Sequence, residues 1–571
     1  MVSDERALAT WLAGRPDAAL AETLAARGVP ASAAWHDFFD AAEALLDAAS
    51  VDRALMRLRR SALAGLAAAP SVTDARLAHL ALVDDAGVPY ASVSERVADL
   101  RLREPAAFTA APVAPPPVPA DERHTAAAAE RAFTTAGSLA DVLLACLHAP
   151  FARTGAGSVS AAERKRLLDT GALRETDDLE DLLAAAAMAG LAVAQERQWE
   201  VTTQGERWLE ATTATRWTTI ANGFRASLPG GVRTPDGGFS SPETWTAAYP
   251  LDPDWPARAA RLHRVGENWG LLGKDGTEFE WTTSLRRGED ADASALVAHL
   301  PAEIDRVYLQ ADLTAIAPGP LAPSLDLRLR GIAVRESRAQ ASTYRFTAES
   351  LGAGMTEGET AGSIRAFLTE LSLTGIPQPL EYLIESTAAR HGLVRVRADE
   401  ASARTRIEST DAALRETIAI DQALRPLGLL TEGDALVSRV TRDAVYWSLA
   451  DARYPVVALD EDGAPEPVHR RAAGVREAAA STPVETYARL LAALRSGHGT
   501  DGEESWLGRE LEQAVRARSE IVVVVRMPDG AERTLTLEAS GLGGGRLRGR
   551  DRAADIERTL PVSSIVSVRP V

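Results

Sequence analysis

The segment from Ile304 to Arg397 constrains the fold of this chain more than any other part. It begins IDRVYLQADLTAIAPGPL and ends GIPQPLEYLIESTAARHGLVRVR. Alternating apolar residues predict short strands in VYLQADLTAIAP, STYRFT and LVRVR. Helical spacing predicts helices in LDLRLRGIAVRES, TAGSIRAFLTELSL and PLEYLIESTAARHG. We therefore expect one compact block in which these strands and helices share a core.

This order of elements resembles the N-terminal domain of XPB-type DNA helicases, the part that precedes the helicase motor. The resemblance covers about a sixth of the 571 residues. It implies an α/β domain over residues 301–468, including a strand-rich extension. It also implies a nucleic-acid process in which the domain engages DNA and partner proteins beside a motor.

The motor itself has no counterpart in the sequence. A helicase needs a phosphate-binding loop of the form G-x-x-x-x-G-K-[ST]. The nearest text, Gly273-Lys274-Asp275, has Asn268 in place of the first glycine and an aspartate in place of the Ser or Thr. The glycines from Gly541 to Gly545 are interpreted as a hairpin turn. We therefore expect no enzymatic activity and no cofactor.

Metal binding is not expected either. The nine histidines are scattered, and the single cysteine, Cys146, excludes both an internal disulfide and a Cys-based zinc site. Cys146 lies in the apolar run SLADVLLACLHAPF, which predicts a buried thiol.

The remaining chain divides by composition and periodicity into further modules. We predict an α+β multidomain protein that is predominantly helical, with winged-helix modules and a small C-terminal β barrel. Relatives of XPB-type helicases that lack the motor have winged-helix-like helices at their N-terminal end. The resemblance implies similar helices at the N-terminal end of this chain. The predicted segments are a helical region 1–108, a Pro-rich linker 109–122, a winged helix 123–215, a Trp-containing region 216–300, the XPB-like domain 301–468 and a C-terminal module 469–571.

The predicted winged helix has two distinctive features. Ser160 and Glu163 have the spacing of a helix N-terminal capping box, and AVAQERQWEVTTQGERWLE is predicted to form a two-stranded wing. The third helix begins with the carboxylates Asp177, Asp178, Glu180 and Asp181, which would repel DNA phosphates. Packing against protein is therefore the favoured interpretation of this helix, and DNA reading is the alternative.

The C-terminal module 469–571 is predicted to contain a helix, TPVETYARLLAALRSG, followed by strands. It resembles the SH3-like barrel of WYL-type domains, although the Trp-Tyr-Leu signature that names them is absent. The sequence leaves open whether such a barrel binds a ligand here.

Three groups of basic residues are candidates for nucleic-acid binding through phosphates. The first group lies on the helix before the acidic third helix of the predicted winged helix. The second surrounds the end of the last helix of the Ile304–Arg397 block. The third consists of arginines at alternate positions in the predicted strand around LRGR. The alternative for each is a solvated, charge-balanced surface. The candidates are Arg164, Lys165, Arg166, Arg390, His391, Arg395, Arg397, Arg546, Arg548 and Arg550.

Overall charge restricts the function further. The formal net charge is −18 at pH 7, which argues against a protein that coats polyanions generally but permits a local basic face.

Five tryptophans between residues 216 and 300 are interpreted as core residues, with stacking on single-stranded bases as the alternative. The Ala- and Arg-rich composition is typical of a GC-rich bacterial genome. The apolar runs are too short for a membrane helix, so we expect a cytoplasmic protein.

Two functions fit these observations. The first is a non-catalytic, helicase-associated accessory protein that binds DNA in repair or transcription. Its expected partners are DNA and a separate helicase, nuclease or RNA polymerase component, with no membrane involved. The alternative is a protein-interaction scaffold or transcriptional regulator whose winged helices bind protein partners.

Overall fold

The computed structural model describes residues 4–68, 71–113, 116–274, 276–338, 341–399, 402–460, 463, 466, 468, 481–498, 503–527, 530–552 and 554–570. The described residues form five hydrophobic cores. The prediction of a mixed, mainly helical chain with several small sheets is confirmed.

The N-terminal layer is helical, as predicted. Asp37 and Asp47 cap the starts of two successive helices by accepting backbone N–H bonds. Arg27 is buried between the helices, donates to the Leu80 carbonyl and the Ser50 hydroxyl, and has its pKa lowered to about 10 by burial. The helices are α1 (Asp4–Ala13), α2 (Asp17–Arg27), α3 (Phe38–Leu46), α4 (Ala48–Met56), α5 (Arg60–Ala68), α6 (Ala75–His79) and α7 (Ala91–Arg103).

The next core extends from Ala128 to Leu296, so the predicted boundary at residue 215 lies inside it. Its helices are α8 (Glu122–His148), α9 (Ala161–Asp169), α10 (Leu179–Met188), α11 (Thr203–Glu210), α12 (Thr213–Ser227), α13 (Trp255–Asn268), α14 (Thr283–Arg286) and α15 (Ser294–Val297). Its strands are β2 (Phe151–Ala152), β3 (Ala192–Ala194), β4 (Gln198–Val201) and β5 (Thr277–Glu278). One more strand, β1 (Val118–Pro119), comes before the core in the sequence. The antiparallel sheet has the order β2-β4-β3, whereas β1, at the end of the Pro-rich segment, pairs in parallel with β5.

Two local predictions for this region have different outcomes. Ser160 caps α9 by accepting the Glu163 N–H at 3.3 Å, as predicted. The predicted wing is correct only as far as β4. The residues after it form α11 because Thr202 caps a helix by accepting the Gly205 N–H.

The tryptophans of residues 216–300 are core residues, and the stacking alternative is wrong. Four of the five donate their indole N–H to a backbone carbonyl, as buried indoles usually do. Each is at most 2% exposed: Trp217, Trp245, Trp255, Trp269 and Trp281.

Cys146 on α8 is buried, as predicted, and its thiol donates to the Trp199 carbonyl at 3.3 Å. Burial raises its pKa to about 12, so little thiolate is present at pH 8. We expect a disulfide reagent such as DTNB to label the native protein at least tenfold more slowly than the protein in guanidinium chloride. Equal labelling rates would contradict the buried position.

The third core contains the first part of the Ile304–Arg397 segment. Its strands are β6 (Tyr308–Leu309), β7 (Thr314–Ala317), β8 (Val334–Arg338) and β9 (Ser342–Arg345), in the order β6-β7-β9-β8. Its helices are α16 (Pro323–Ile332), α17 (Ala348–Thr356), α18 (Ala361–Leu371) and α19 (Gln378–Arg390). The helix predicted over LDLRLRGIAVRES is too long. It ends at Ile332, because Ala333 is extended and the following VRESR pairs with β9 as a strand.

The prediction of one compact block is wrong, because the final strand of the segment belongs to a different sheet and a fourth core. This core contains α20 (Ala412–Ile420), α21 (Arg442–Asp451), β10 (Val394–Asp399), β11 (Arg404–Ser409), β12 (Leu430–Glu432), β13 (Ala435–Ser438) and β14 (Val456–Ala458). The sheet order is β12-β13-β11-β10-β14. Most of a second linker predicted near residues 460–474 lies outside the described residues.

An ionic cluster joins the second and third cores. Asp141 on α8 is 4% exposed and accepts from Arg330 at 2.8 Å and Arg335 at 2.5 Å. Asp326 lies near both arginines and accepts the Tyr344 hydroxyl. Burial, followed by the Asp326 charge, raises the pKa of Tyr344, which keeps the hydroxyl protonated. The cluster therefore fixes the third core against α8.

The C-terminal part contains α22 (Pro483–His498), α23 (Glu503–Ala517), β15 (Glu520–Arg526), β16 (Glu532–Gly543), β17 (Arg546–Asp551), β18 (Ile556–Pro561) and β19 (Ile565–Pro570). Its antiparallel sheet has the order β18-β17-β16-β15-β19 and contacts α23. The predicted barrel is wrong, because β18 and β19 remain the two edges of an open sheet in the described residues.

The helix α22 contributes to the N-terminal core and not to the sheet that follows it. Leu494 is fully buried there with Tyr487, Leu490 and Leu491. The Tyr487 hydroxyl donates to the Val29 carbonyl at 2.6 Å. Helix α22 is thus joined to the N-terminal helices in one core.

Candidate nucleic-acid interface

The three predicted groups of basic residues lie on different parts of the fold. Arg164, Lys165 and Arg166 are on α9. The second group surrounds the end of α19 and β10. Arg546, Arg548 and Arg550 are on β17. The sequence-predicted residues therefore form three separate surfaces.

The α9 group is partly neutralised within its own helix. Arg166 pairs with Glu163 at 2.8 Å and lies 5.8 Å from the centre of the Phe151 ring. Arg164 and Lys165 are exposed. Two cations at this position can make only a small phosphate contact.

The neighbouring acidic helix α10 is covered by α12 and α13. Asp181 is buried and pairs with Arg261 at 3.2 Å and Arg264 at 2.9 Å, both on α13. Asp178 caps α10, and Glu180 accepts the Val159 N–H. The carboxylates that oppose DNA binding thus stabilise contacts within the protein, in agreement with the favoured interpretation.

The second group contributes to a larger arginine-rich sheet face. Along β10, Val394 and Val396 point into the core, whereas Arg395 and Arg397 point to the opposite face. Arg397 lies directly across from Arg406 of β11. Like charges at such a position repel, and Glu408 lies between them, 3.2 Å from Arg397 and 2.7 Å from Arg406.

Sequence reasoning missed two members of this face. Arg404 and Arg406 alternate in the strand RTRIES of β11, with Thr405 and Ile407 buried between and beside them. The alternation itself was the available signal. Arg404 pairs with Glu432 at 2.5 Å, and Arg406 also pairs with Asp434 at 3.2 Å. We call the surface formed by Arg395, Arg397, Arg404 and Arg406 the β10–β11 face.

The other two predicted residues of this group have different positions. Arg390 is exposed at the end of α19 and donates to its own helix through the Ser386 carbonyl. The Nε2 atom of His391 is shielded from solvent and has no hydrogen-bond partner among the described residues. Burial lowers the pKa of His391. A pKa below its ordinary value leaves the imidazole largely neutral at pH 7, so it offers little positive charge to a phosphate.

The β17 group forms an exposed row, as the alternation in LRGR predicted. Leu547 and Gly549 are buried between the exposed Arg546, Arg548 and Arg550. Arg550 pairs with Asp555 at 2.5 Å. Arg546 and Arg548 lie beside Gly543 and Gly541 on one side, and beside Pro561 and Thr559 on the other. These two arginines have no acidic neighbour in the strand register and are available to an anion.

Other classes of site are not apparent in the described part of the chain. No group of three or more His, Cys, Asp or Glu side chains there is arranged to hold a metal ion. The Gly273–Lys274 turn follows helix α13 and precedes the short strand β5, whereas a phosphate-binding loop connects a strand to a helix. Within the described residues, no helix is both long and apolar enough to cross a bilayer.

Comparison with known proteins identifies a helicase-related region in the chain. Residues 307–432 match the family described as the helicase conserved C-terminal domain. The matched region spans the third core and the first part of the fourth, as far as β12, and it contains the whole β10–β11 face. Curated proteins show no match to the chain. The match supports the predicted relationship to helicases for this region, although the matching model describes a helicase C-terminal domain and not an N-terminal one.

Proposed function

We propose that this chain is a non-catalytic, helicase-associated accessory protein that binds DNA and acts beside a separate motor in repair or transcription. One observation carries the proposal: the arginine-rich β10–β11 face lies inside the residues that match a helicase domain. Its expected partners are DNA and a separate helicase, nuclease or RNA polymerase component in the bacterial cytoplasm.

The module assignments belong to the same proposal. The order helix, strand, helix, helix, strand, strand from α8 to β4 supports a winged helix in residues 123–215. The strand and helix content of residues 301–468 supports a domain like that of XPB-type helicases. The C-terminal sheet with α23 supports a WYL-like unit of open form.

DNA contact at the β10–β11 face would be made to phosphates. Residues on one side of a strand repeat about every 6.6 Å, and Arg395 and Arg397 are one such step apart. Arginine binds phosphate with fixed geometry through its planar guanidinium. Phosphate contacts carry no base identity, so the expected binding is independent of sequence and sensitive to salt.

Gel retardation at low salt tests the proposal with single-stranded, double-stranded and forked DNA of the same length. We expect retardation by the wild-type chain and at least tenfold weaker binding by the Arg395→Gln/Arg397→Gln double variant. Arg425→Gln/Arg489→Gln is a matched control, because both residues are exposed and neither lies on β10 or β11. Absence of retardation for all three DNA forms would reject the DNA-binding part.

A protein-interaction scaffold or transcriptional regulator is the second candidate. It is favoured by the net charge of −18 and by the coverage of α10 by α12 and α13, which keeps this acidic helix away from a DNA groove. Affinity purification from nuclease-treated bacterial extract separates the two functions. Recovery of a helicase or polymerase by a chain that does not retard DNA would support the scaffold.

A further inference from the structure

A cavity of about 450 Å³ lies where the third and fourth cores meet. Its walls come from the end of α17, the start of α18, the end of α19, strands β10 and β14, and α21. Its volume falls within the range of about 300–1,000 Å³ that is usual for small-molecule sites. Arg395 lines it, so the cavity is continuous with the β10–β11 face.

The charged residues of the cavity favour an anion. Two glutamates line it, and each is already paired: Glu359 with Arg328 at 2.8 Å, and Glu466 with Arg442. Arg395, in contrast, is exposed. Glu408 lies directly across from it on β11 but is paired with Arg397 and Arg406, so Arg395 has no ion pair of its own among the described residues. One guanidinium is therefore left uncompensated at the cavity wall.

Backbone donors reinforce this preference. Thr360 caps α18 by accepting the Ser363 N–H at 3.0 Å. The N–H of Ala361, which lines the cavity, belongs to the first turn of the helix, where backbone donors lack intrahelical acceptors. A helix start favours negative charge, in the same direction as Arg395.

The remaining walls are mainly apolar. Met355, Val457 and Leu459 line the cavity together with the ring of Tyr446, which is almost fully buried. A bare phosphate would leave these surfaces unfilled. The combination of an anion-binding wall and an apolar wall fits a phosphate attached to a flat, partly apolar group.

We propose that this cavity binds the phosphate monoester of a nucleotide, with Arg395 on the phosphate and the base against the apolar wall. The nucleotide is either free or is the 5′-phosphorylated end of a DNA strand. The cavity is independent of the proposed function, because it requires no DNA contact at the rest of the β10–β11 face.

Isothermal titration calorimetry of the full chain with dAMP, deoxyadenosine and inorganic phosphate tests the inference. We expect dAMP to bind at least tenfold more tightly than either fragment. Arg395→Ala removes a charge-assisted contact and should weaken dAMP about tenfold or more. Val457→Phe should also abolish binding, because it fills the cavity without a change in charge. Arg439→Ala, exposed in the same part of the chain, should bind as the wild type does.

A second arm compares dA oligonucleotides with a 5′-phosphate and a 5′-hydroxyl. A preference for the phosphorylated end of at least fivefold that disappears in Val457→Phe assigns the strand end as ligand. Binding of dAMP without that preference assigns the free nucleotide. Failure to bind dAMP, equal binding of dAMP and deoxyadenosine, or unchanged binding by Arg395→Ala would each overturn the inference. If the chain retards DNA but does not bind dAMP, this inference is rejected and the proposed function stands. If the chain binds dAMP but does not retard DNA, the proposed function is rejected and this inference stands.

Discussion

Asp141→Ala is expected to lower the free energy of unfolding by about 3–5 kcal/mol. The substitution removes the carboxylate shared by Arg330 and Arg335, whose side chains are only 18% and 15% exposed. Two guanidiniums would then be held away from water near a single remaining carboxylate, Asp326. Urea unfolding followed by tryptophan fluorescence measures the loss, because the buried tryptophans lie in the same core as Asp141's helix.

Asp236→Ala is the matched control for this substitution. Asp236 is an exposed loop carboxylate in the same part of the chain, and its removal should change the free energy by less than about 0.5 kcal/mol. A loss for Asp141→Ala no greater than that of the control would show that the ionic cluster does not fix the third core against α8.

Leu494→Ala is expected to cost about 2–5 kcal/mol, since it creates a cavity in a fully buried position. The position lies in α22, yet the lost contacts belong to the N-terminal core. Hydrogen exchange detected by mass spectrometry should therefore show faster exchange in two distant segments together, residues 4–68 and 483–498.

The exposed Val484 at the start of α22 provides the control for Leu494. Val484→Ala should leave exchange in both segments close to that of the wild type. If Leu494→Ala accelerates exchange only within α22, or only within the C-terminal sheet, the helix does not belong to the N-terminal core in solution.

Local features of the fold were accessible from the sequence because they depend on neighbouring residues. The Ser160 cap needs only the N–H of Glu163. The turn between β16 and β17 follows from Gly544 and Gly545, which have φ of +58° and +72° as tight hairpin turns require. The exposed row on β17 follows from simple alternation.

Tertiary pairings were not accessible in the same way. LVRVR was correctly predicted as a strand, yet its parallel neighbour β14 comes some 60 residues later, after β11, β13 and α21. The leucines of α22 predict an apolar helix face, but periodicity does not identify the surface that covers it. Both pairings depend on contacts between residues that are far apart in the sequence.

The candidate site was predicted in part for similar reasons. Arg395 and Arg397 were identified from their own strand, whereas Arg406 joins them only through the β10–β11 register. His391 is predicted as a nucleic-acid-binding residue because a histidine side chain can carry a positive charge. Only the structure shows that its Nε2 atom is shielded.

The salt dependence of DNA binding tests the central claim most directly. Fluorescence anisotropy with a labelled single strand, measured over a range of NaCl concentrations, gives the number of phosphates contacted from the slope of log K against log salt. For Arg395→Gln/Arg397→Gln/Arg406→Gln we predict a slope shallower by about 2 than that of the wild type, at about 0.7 per lost contact. Arg425→Gln/Arg489→Gln should keep the wild-type slope. No binding by the wild-type chain at low salt, or equal slopes for the wild type and the triple variant, would contradict the assignment of DNA contact to the β10–β11 face.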